Sequence, residues 1–198
     1  MIKPVGSDEL QPLFVYDPDK HHQLMHEARE LPSVVISSQA AGNAVMMGAG
    51  YFSPLQGFMK VADAVSVAET MKTRDGMFFP VPVMCLLESV DAIKGAKRIG
   101  LRDPNMEGNP VLAIMDVETI ETVSDEQMAL MTDKVYRTDD PEHPGVAAFN
   151  GQGRYVVSGA VQVLHFSYFQ DDFPDTFRTA VEIRNEITER GWTKIVGF

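Results

Sequence analysis

Residues 175–198 read DTFRTAVEIRNEITERGWTKIVGF, and this stretch is the strongest indication of the fold class. Its first part, residues 175–190, repeats apolar side chains at helical spacing and predicts an amphipathic helix. Gly191 is typical of the left-handed residue that ends a helix. Residues 192–198 are apolar enough to predict a buried strand. A helix that leads into a short apolar strand is typical of an α/β domain.

The position of this pattern also predicts where the chemistry lies. In open α/β sheets, ligands bind in loops at the carboxyl ends of the strands. The loop that would follow Phe198 is not in the sequence. We therefore expect the chain to be the amino-terminal part of a larger enzyme that ends just before its reactive residues.

Composition excludes several classes of protein. The 198 residues are 44% hydrophobic and 23% charged, as in ordinary soluble proteins. A net charge of −11 argues against a nucleic-acid partner and against an anionic membrane surface, because both need a basic footprint. The single cysteine, Cys85, cannot form an internal disulfide, and no stretch resembles a signal peptide or membrane span. We expect a cytoplasmic protein.

The rest of the chain divides into helical and strand-rich parts. Short strands between turns indicate a small barrel or a strongly bent sheet. The boundary to the closing helix is expected near residues 166–173. The predicted helices are residues 17–30, 38–47, 61–72 and 124–134. The predicted strands are residues 81–87, 97–101, 111–117, 146–149 and 155–165, with residues 118–123 as a continuation of the third. Residues 34–36 are either a short strand or a linker.

Four histidines and the cysteine are candidate reactive residues, and each has a simpler interpretation. His22 and His26 lie one helical turn apart and could share a metal ion, but no third ligand is near in sequence, which favours a solvated helix face. His143 could be catalytic in its proline-flanked loop, although a rigid loop is the simpler interpretation. His165 ends a strand as an ordinary polar residue. Cys85 lies in an apolar run and is interpreted as a buried small residue.

Anion binding has equally weak candidates. Gly48–Gly50 and Gly151–Gly153 lie outside any strand–loop–helix unit and lack the lysine of a phosphate-binding loop, so turn formation is favoured. Arg102, Arg137 and Arg154 stand singly at strand ends or in loops. Each could face an anion, but solvated side chains are the favoured interpretation. No pair of residues meets the requirements of acid–base or nucleophilic catalysis.

Several distinctive segments follow one another along nearly the whole chain. They are F52-S-P-L-Q-G-F-M59, F79-P-V-P82, H143-P-G-V146, the strand from Tyr155 to Val161 with Gly159, and R190-G-W-T-K-I-V-G-F198. In this order they resemble the amino-terminal part of the sulfate adenylyltransferase family. The sharpest match is the turn at residues 52–59, which has the family pattern F-S-P-L-x-G-F-M.

The resemblance implies a mixed α+β chain of two parts. Residues 1–166 would form a PUA-like β-barrel domain with helices. Residues 167–198 would supply the first helix and strand of a Rossmann-like α/β nucleotidyltransferase domain. The full-length enzyme is expected to be a homo-oligomer.

The resemblance also implies a reaction. Sulfate attacks the α-phosphorus of ATP, releasing pyrophosphate and forming adenosine 5′-phosphosulfate, normally with Mg²⁺. In the family, Q-x-R-N-P and H-x-x-H segments supply groups for this step, and neither occurs in residues 1–198. We therefore assign no catalytic, cofactor-binding or metal-binding residue to this chain, and expect it to be inactive alone.

Two alternatives remain open. The chain could be a non-catalytic PUA-like module that binds RNA, although its negative charge argues against this. It could also be a structural module that pairs with another chain. Within the enzyme hypothesis, residues 52–59 either pack against the catalytic domain or form an internal core turn.

Overall fold

A mixed six-stranded sheet forms the centre of the fold in the computed structural model, which describes residues 3–197. The strands are β1 (Ser33–Val35), β2 (Gly57–Phe58), β3 (Leu86–Leu87), β4 (Arg98–Arg102), β5 (Val111–Thr122) and β6 (Tyr155–Val163). The helices are α1 (Pro18–Glu27), α2 (Ser38–Gly48), α3 (Val61–Thr70), α4 (Asp125–Tyr136), α5 (Pro144–Asn150), α6 (Phe169–Asp172) and α7 (Ala180–Glu189), with one 3₁₀ turn at Asp91–Ile93.

The sheet is open, so the predicted closed β-barrel is wrong. Its strands follow the order β1-β4-β5-β6-β2, and β3 pairs with β6 beside β2. The β1–β4 pair is parallel and the others are antiparallel. Pro80 and Pro82 lack N–H donors, and the strand predicted over residues 81–87 is reduced to Leu86–Leu87. With only two residues each, β2 and β3 do not extend the sheet round to β1.

The contact between β2 and β6 depends on two glycines. Gly57 pairs with Ala160, and a Cβ atom on Gly57 would collide with the carbonyl oxygen of Gly159. Gly159 itself has φ +150°, and its own Cβ would collide with the carbonyl oxygen of Asp116. Only glycine allows the backbones of β2, β6 and β5 to approach this closely. Their close approach fixes the position of the turn before β2.

Helices cover the sheet and build the core. α2 is rich in small apolar residues, of which Ala40, Ala41 and Ala44 are completely buried. The Ser37 hydroxyl accepts a hydrogen bond from the N–H of Ala40 and caps this helix. α4 begins with the predicted capping box, in which Ser124 and Gln127 satisfy each other's backbone N–H groups.

One predicted strand is a helix. Residues 146–149 belong to α5, which begins after His143 and has proline at its first position. The apolar run V-A-A-F is too short for periodicity to distinguish helix from strand. Proline at the first helical position and the His143 cap favour the helix.

The closing segment also differs from expectation. α7 begins at Ala180, five residues later than predicted, and ends before Gly191, which has the expected left-handed conformation (φ 65°). Residues 192–197 form no strand, and Trp192 and Ile195 remain 52% and 57% exposed. A strand needs a hydrogen-bonded neighbour, and none lies beside this segment within residues 3–197. Phe198 lies outside the described residues.

Candidate interaction cleft

An apolar cleft of about 1160 Å³ lies between α7 and the turn before β2. One wall is built from the amino-terminal arm (Pro4, Val5, Leu10), residues 50–53 and residues 78–81. The other wall is built from α7 and the segment after it. Its residues are Ala180, Ile183, Arg184, Ile187, Thr188, Gly191, Trp192, Thr193 and Ile195.

The first wall is part of the folded core. Leu55, Phe58 and Met59 of the turn are buried in the main hydrophobic cluster. Phe52 is half-buried, and its ring meets that of Phe79 edge-on at 5.5 Å between centroids. Residues 52–59 are therefore both a core turn and, through Phe52 and Ser53, a cleft wall.

The second wall is attached at the start of α7. The N–H of Ala180 donates to the carbonyl of Ala49 at 2.9 Å, and Ala180 is the single buried residue of the helix. The Tyr51 hydroxyl donates to the carbonyl of Arg178 at 2.8 Å. The Phe177 ring packs at a tilt against that of Phe166, with 5.3 Å between centroids. These contacts hold the amino end of α7 against residues 49–51 and Phe166, which belong to the part of the chain built around the sheet.

A capping box stabilises the same end of α7. The Thr179 hydroxyl accepts from the N–H of Glu182, whose carboxylate accepts from the N–H of Thr179 at 2.7 Å. The backbone and hydroxyl hydrogen bonds from Thr179 lower the pKa of Glu182. Burial raises the pKa of Tyr51, and the Glu182 charge raises it further.

Apolar side chains dominate both walls. Phe78 is 46% exposed on the first wall, and Ile183, Trp192 and Ile195 are exposed on the second. Among the described residues that line them, the walls bring together no nucleophile with a base and no paired carboxylates. This arrangement is suited to binding an apolar surface rather than to catalysis.

The candidate histidines and the cysteine behave as structural residues. His22 and His26 are exposed on α1, and residues 3–197 contain no cluster of three His, Cys, Asp or Glu side chains able to hold a metal ion. His143 caps α5 by accepting a hydrogen bond from the N–H of Val146. Burial raises the pKa of the Cys85 thiol to about 12, so this cysteine is unreactive at neutral pH.

The candidate anion-binding residues are engaged in local structure. Arg102 donates to the Ser33 hydroxyl at 2.7 Å and to the Asn109 carbonyl, and Arg154 pairs with Asp125. Arg137 ends α4 in the left-handed conformation. Gly48 ends α2, and Gly151 follows α5 as its cap. Arg102 and Arg154 are partly exposed and also make hydrogen bonds within the fold.

A buried polar cluster lies away from the cleft. Asp103 is completely buried, and its Oδ2 atom has no protein partner. The Nδ1 atom of His165 accepts from the N–H of Ser167 at 3.0 Å, so the neutral ring carries its proton on Nε2. Burial lowers the pKa of His165, whereas the Asp103 charge and the Val111 backbone raise it and His21 lowers it. His165 is therefore a half-buried histidine whose pKa lies below its ordinary value.

A smaller cavity of about 500 Å³ lies at the start of α2. Its main polar side chain, Gln152, accepts from the Ser37 hydroxyl at 2.7 Å and donates to Gln39 at 2.6 Å. These groups satisfy one another and join α2 to α5.

Sequence reasoning missed the cleft. On the predicted closing helix, Ile183 lines the cleft and Val181 does not. The spacing Ala180, Ile183, Ile187 was the available signal, because residues three and four apart share a helix face. No signal in the sequence connected this face with residues 78–81.

Membership of a family follows from comparison with known proteins. The profile described as PUA-like domain matches residues 2–166. The chain belongs to the PUA-like domain family. Among residues 3–197, this PUA-like chain has no helix with the length and apolar character needed to cross a membrane.

Relatives of this PUA-like chain extend the comparison over its whole length. It is 72% identical to sulfate adenylyltransferase of Allochromatium vinosum, covering 100% of this chain and 50% of that protein. It is 58% identical to sulfate adenylyltransferase of Alcanivorax borkumensis, covering 100% of this chain and 49% of that protein. The chain thus spans about half the length of these relatives and matches their amino-terminal part. The resemblance inferred from the sequence motifs is confirmed.

A solved structure supports the same comparison. The hexameric APS kinase from Thiobacillus denitrificans matches with a TM-score of 0.70 and 26% identity. The match covers 97% of this PUA-like chain and 32% of that chain.

Proposed function

We propose that this chain is the amino-terminal half of a sulfate adenylyltransferase. The observation that carries the proposal is the 72% identity to the Allochromatium vinosum enzyme over all 198 residues. The complete enzyme transfers the adenylyl group of ATP to sulfate. A sulfate oxygen bonds to the α-phosphorus, the bond between the α-phosphorus and the bridging oxygen breaks, and pyrophosphate leaves.

The chemistry is assigned to the part of the enzyme outside residues 1–198. Adenylyl transfer needs donors placed around the α-phosphate. Three arginines of the described residues, Arg98, Arg102 and Arg154, donate hydrogen bonds to neighbouring residues. Residues 3–197 contain no group of three or more His, Cys, Asp and Glu side chains that could hold a metal ion. We therefore place no step of the reaction, and no metal, in this half.

The proposed division of the chain is a PUA-like domain at residues 1–166 and the start of the catalytic domain at residues 167–198. The family profile ends at residue 166, which supports the boundary. Residues 192–198 would become the first strand of a Rossmann-like sheet when the following strands pair with it. This accounts for apolar residues such as Ile195 that are exposed in the chain alone.

The complete enzyme is proposed to be a cytoplasmic homo-oligomer that binds ATP and sulfate. The related APS kinase structure is hexameric, which supports oligomer formation.

A chimera tests the proposed function. This chain would be joined to the carboxyl-terminal half of the Allochromatium vinosum relative at the end of the aligned region. We expect pyrophosphate release that depends on both ATP and sulfate, and none from either half alone. A well-folded chimera that releases no pyrophosphate, alongside an active Allochromatium enzyme, would contradict the proposal.

A further inference from the structure

We propose that His165 is a proton-operated hinge in the turn that joins β6 to α6. Protonation of its Nδ1 atom breaks the hydrogen bond from the Ser167 N–H, opens the turn at residues 165–167 and frees α6 and α7 to move against the sheet. The hinge rests on contacts within this chain and goes beyond the proposed function.

One hydrogen bond in this turn depends on the protonation state of His165. The Ser167 N–H donates to its Nδ1 atom at 3.0 Å. A neutral imidazole accepts a hydrogen bond through one ring nitrogen, whereas both nitrogens of a protonated ring are donors. Protonation therefore sets two N–H groups against each other. Because the protonated ring has no acceptor nitrogen, a flip of the ring does not restore the bond.

Ser167 itself favours the open turn. It has φ 56°, a left-handed conformation that is unfavourable for a residue with a Cβ atom. It is also buried, and its hydroxyl oxygen has no hydrogen-bond partner among the described residues. Opening relieves the backbone and lets water reach the hydroxyl group. The hydrogen bond to His165 opposes both gains.

The turn is placed where its opening acts on the segment that follows it. Phe166, between His165 and Ser167, is buried, and its ring stacks on that of Phe14 with 4.5 Å between centroids. On its other side it packs against Phe177, just before α7, with 5.3 Å between centroids. Opening of the turn displaces Phe166 and weakens this contact between the sheet and the start of α7.

The titratable groups that face His165 come from two other elements. Burial has the largest influence and lowers the pKa of His165, the Asp103 charge after β4 raises it, and His21 on α1 lowers it. The Nε2 atom of His21 donates to the Leu164 carbonyl at 2.7 Å. Neutral and protonated rings can both donate in this way, so the loss of a bond on protonation is confined to His165.

Opening of the turn should increase as pH falls. In the open turn the His165 ring is solvated and its pKa returns toward the ordinary value of 6.5, so the open turn binds the proton more tightly than the closed turn. Linkage to one proton raises the opening constant by up to about tenfold per pH unit below about pH 6.5. Above this pH the neutral ring keeps the turn closed.

Native-state amide hydrogen exchange of this chain, in urea too dilute to unfold it, tests the hinge. Exchange rates would be measured by NMR from about pH 7.5 to about pH 5.5 and divided by the intrinsic rates. We expect the opening constant of the Ser167 amide and of the amides in α7 to rise as pH falls. It should not depend on urea, because a local opening exposes little surface. Amides of β5 should exchange through global unfolding and depend steeply on urea.

Two substitutions of His165 separate the acceptor from the charge. His165→Asn places an amide oxygen near the position of Nδ1 and does not titrate, so the turn should stay closed throughout this pH range. His165→Gln does not titrate and carries its acceptor one bond further from the backbone, so the turn should be equally open at every pH. His21→Gln keeps a donor for the Leu164 carbonyl and is the control, which should leave the pH dependence in place.

Three results would overturn the hinge. The first is an opening constant at Ser167 that does not change with pH in the unsubstituted chain. The second is exchange at Ser167 with the same urea dependence as β5, and the third is a pH dependence that persists in His165→Asn. None of these measurements uses pyrophosphate release, so failure of the hinge leaves the proposed function standing and an inactive chimera leaves the hinge standing.

Discussion

The sheet with the helices that cover it (the sheet domain) and residues 192–197 (the closing segment) contain similar apolar side chains. These side chains are buried in the sheet domain and exposed in the closing segment. In β4 and β5, Ile99, Leu101 and Leu112 are completely buried between the sheet and its helices. In residues 192–197, Trp192 and Ile195 are more than half exposed. The difference lies in the neighbours, because β4 and β5 pair with each other and with further strands whereas residues 192–197 pair with none. Apolar composition predicts a need for burial, and only the topology tells which partner satisfies it.

The largest effect should come from the core of the sheet. Leu112→Ala removes a completely buried side chain and leaves a cavity, so we expect the free energy of unfolding to fall by about 2 to 5 kcal/mol. Urea unfolding measures this loss. Ile120→Ala, at an exposed position of the same strand, is the control and should cost about 0.5 kcal/mol. Equal losses of unfolding free energy in the two variants would contradict the burial of Leu112 in the core.

Removal of the capping boxes at the starts of α4 and α7 should have effects of intermediate size, and these effects should differ between the two helices. Ser124→Ala removes the cap of α4, which buries Met128 and Met131, and should lower global stability by about 1 kcal/mol. Thr179→Ala should leave the urea midpoint of the sheet domain unchanged. It should instead speed amide hydrogen exchange in α7, which is attached at its amino end. A shift of the global midpoint by Thr179→Ala would show that α7 unfolds together with the sheet.

A pH effect is expected at His165. The pKa of His165 is lowered by burial below its ordinary value of 6.5. Between the two values the unfolded chain binds more protons, so stability should decrease as pH falls below about 6.5. Urea midpoints measured from pH 7 downward should show this slope, and His165→Gln should flatten it. Asp103→Asn should steepen the slope, because the Asp103 charge favours the protonated ring.

The smallest effect is expected at Trp192. Trp192→Ala in this chain should change the free energy of unfolding by no more than about 0.5 kcal/mol, because the ring is half exposed and forms no part of the core. In the chimera the same substitution should be clearly destabilising by thermal unfolding. A large loss in the chain alone would contradict the contrast between the two regions.

Local signals in the sequence predicted much of the fold. The helices predicted at residues 17–30 and 124–134 are present as α1 and α4, and the strands predicted at residues 97–101 and 111–123 are present as β4 and β5. Each depends on residues close in sequence. The short strands left open whether they form a barrel or a bent sheet, because closure depends on whether distant strands are long enough to meet.

The cleft could not be predicted for a related reason. Its walls are formed by residues 50–53, residues 78–81 and α7, which are far apart in the sequence. None of these three segments has a sequence pattern that is typical of a binding site. The strand predicted at residues 192–198 has the right composition for a sheet and no neighbour for it within residues 3–197. The apolar pattern of this segment is typical of a strand in a sheet, but the described residues contain no strand that pairs with it.

The glycine pair between β2 and β6 has a consequence for how the cleft can diverge among relatives. Because Gly57 and Gly159 leave no space for side chains, the sheet backbone itself sets where Phe52 stands. The solvent-facing residues of the turn are free to vary without moving that wall. A single methyl group added at Gly159, inside the sheet, would collide with the Asp116 carbonyl oxygen and shift the strands that carry this wall of the cleft.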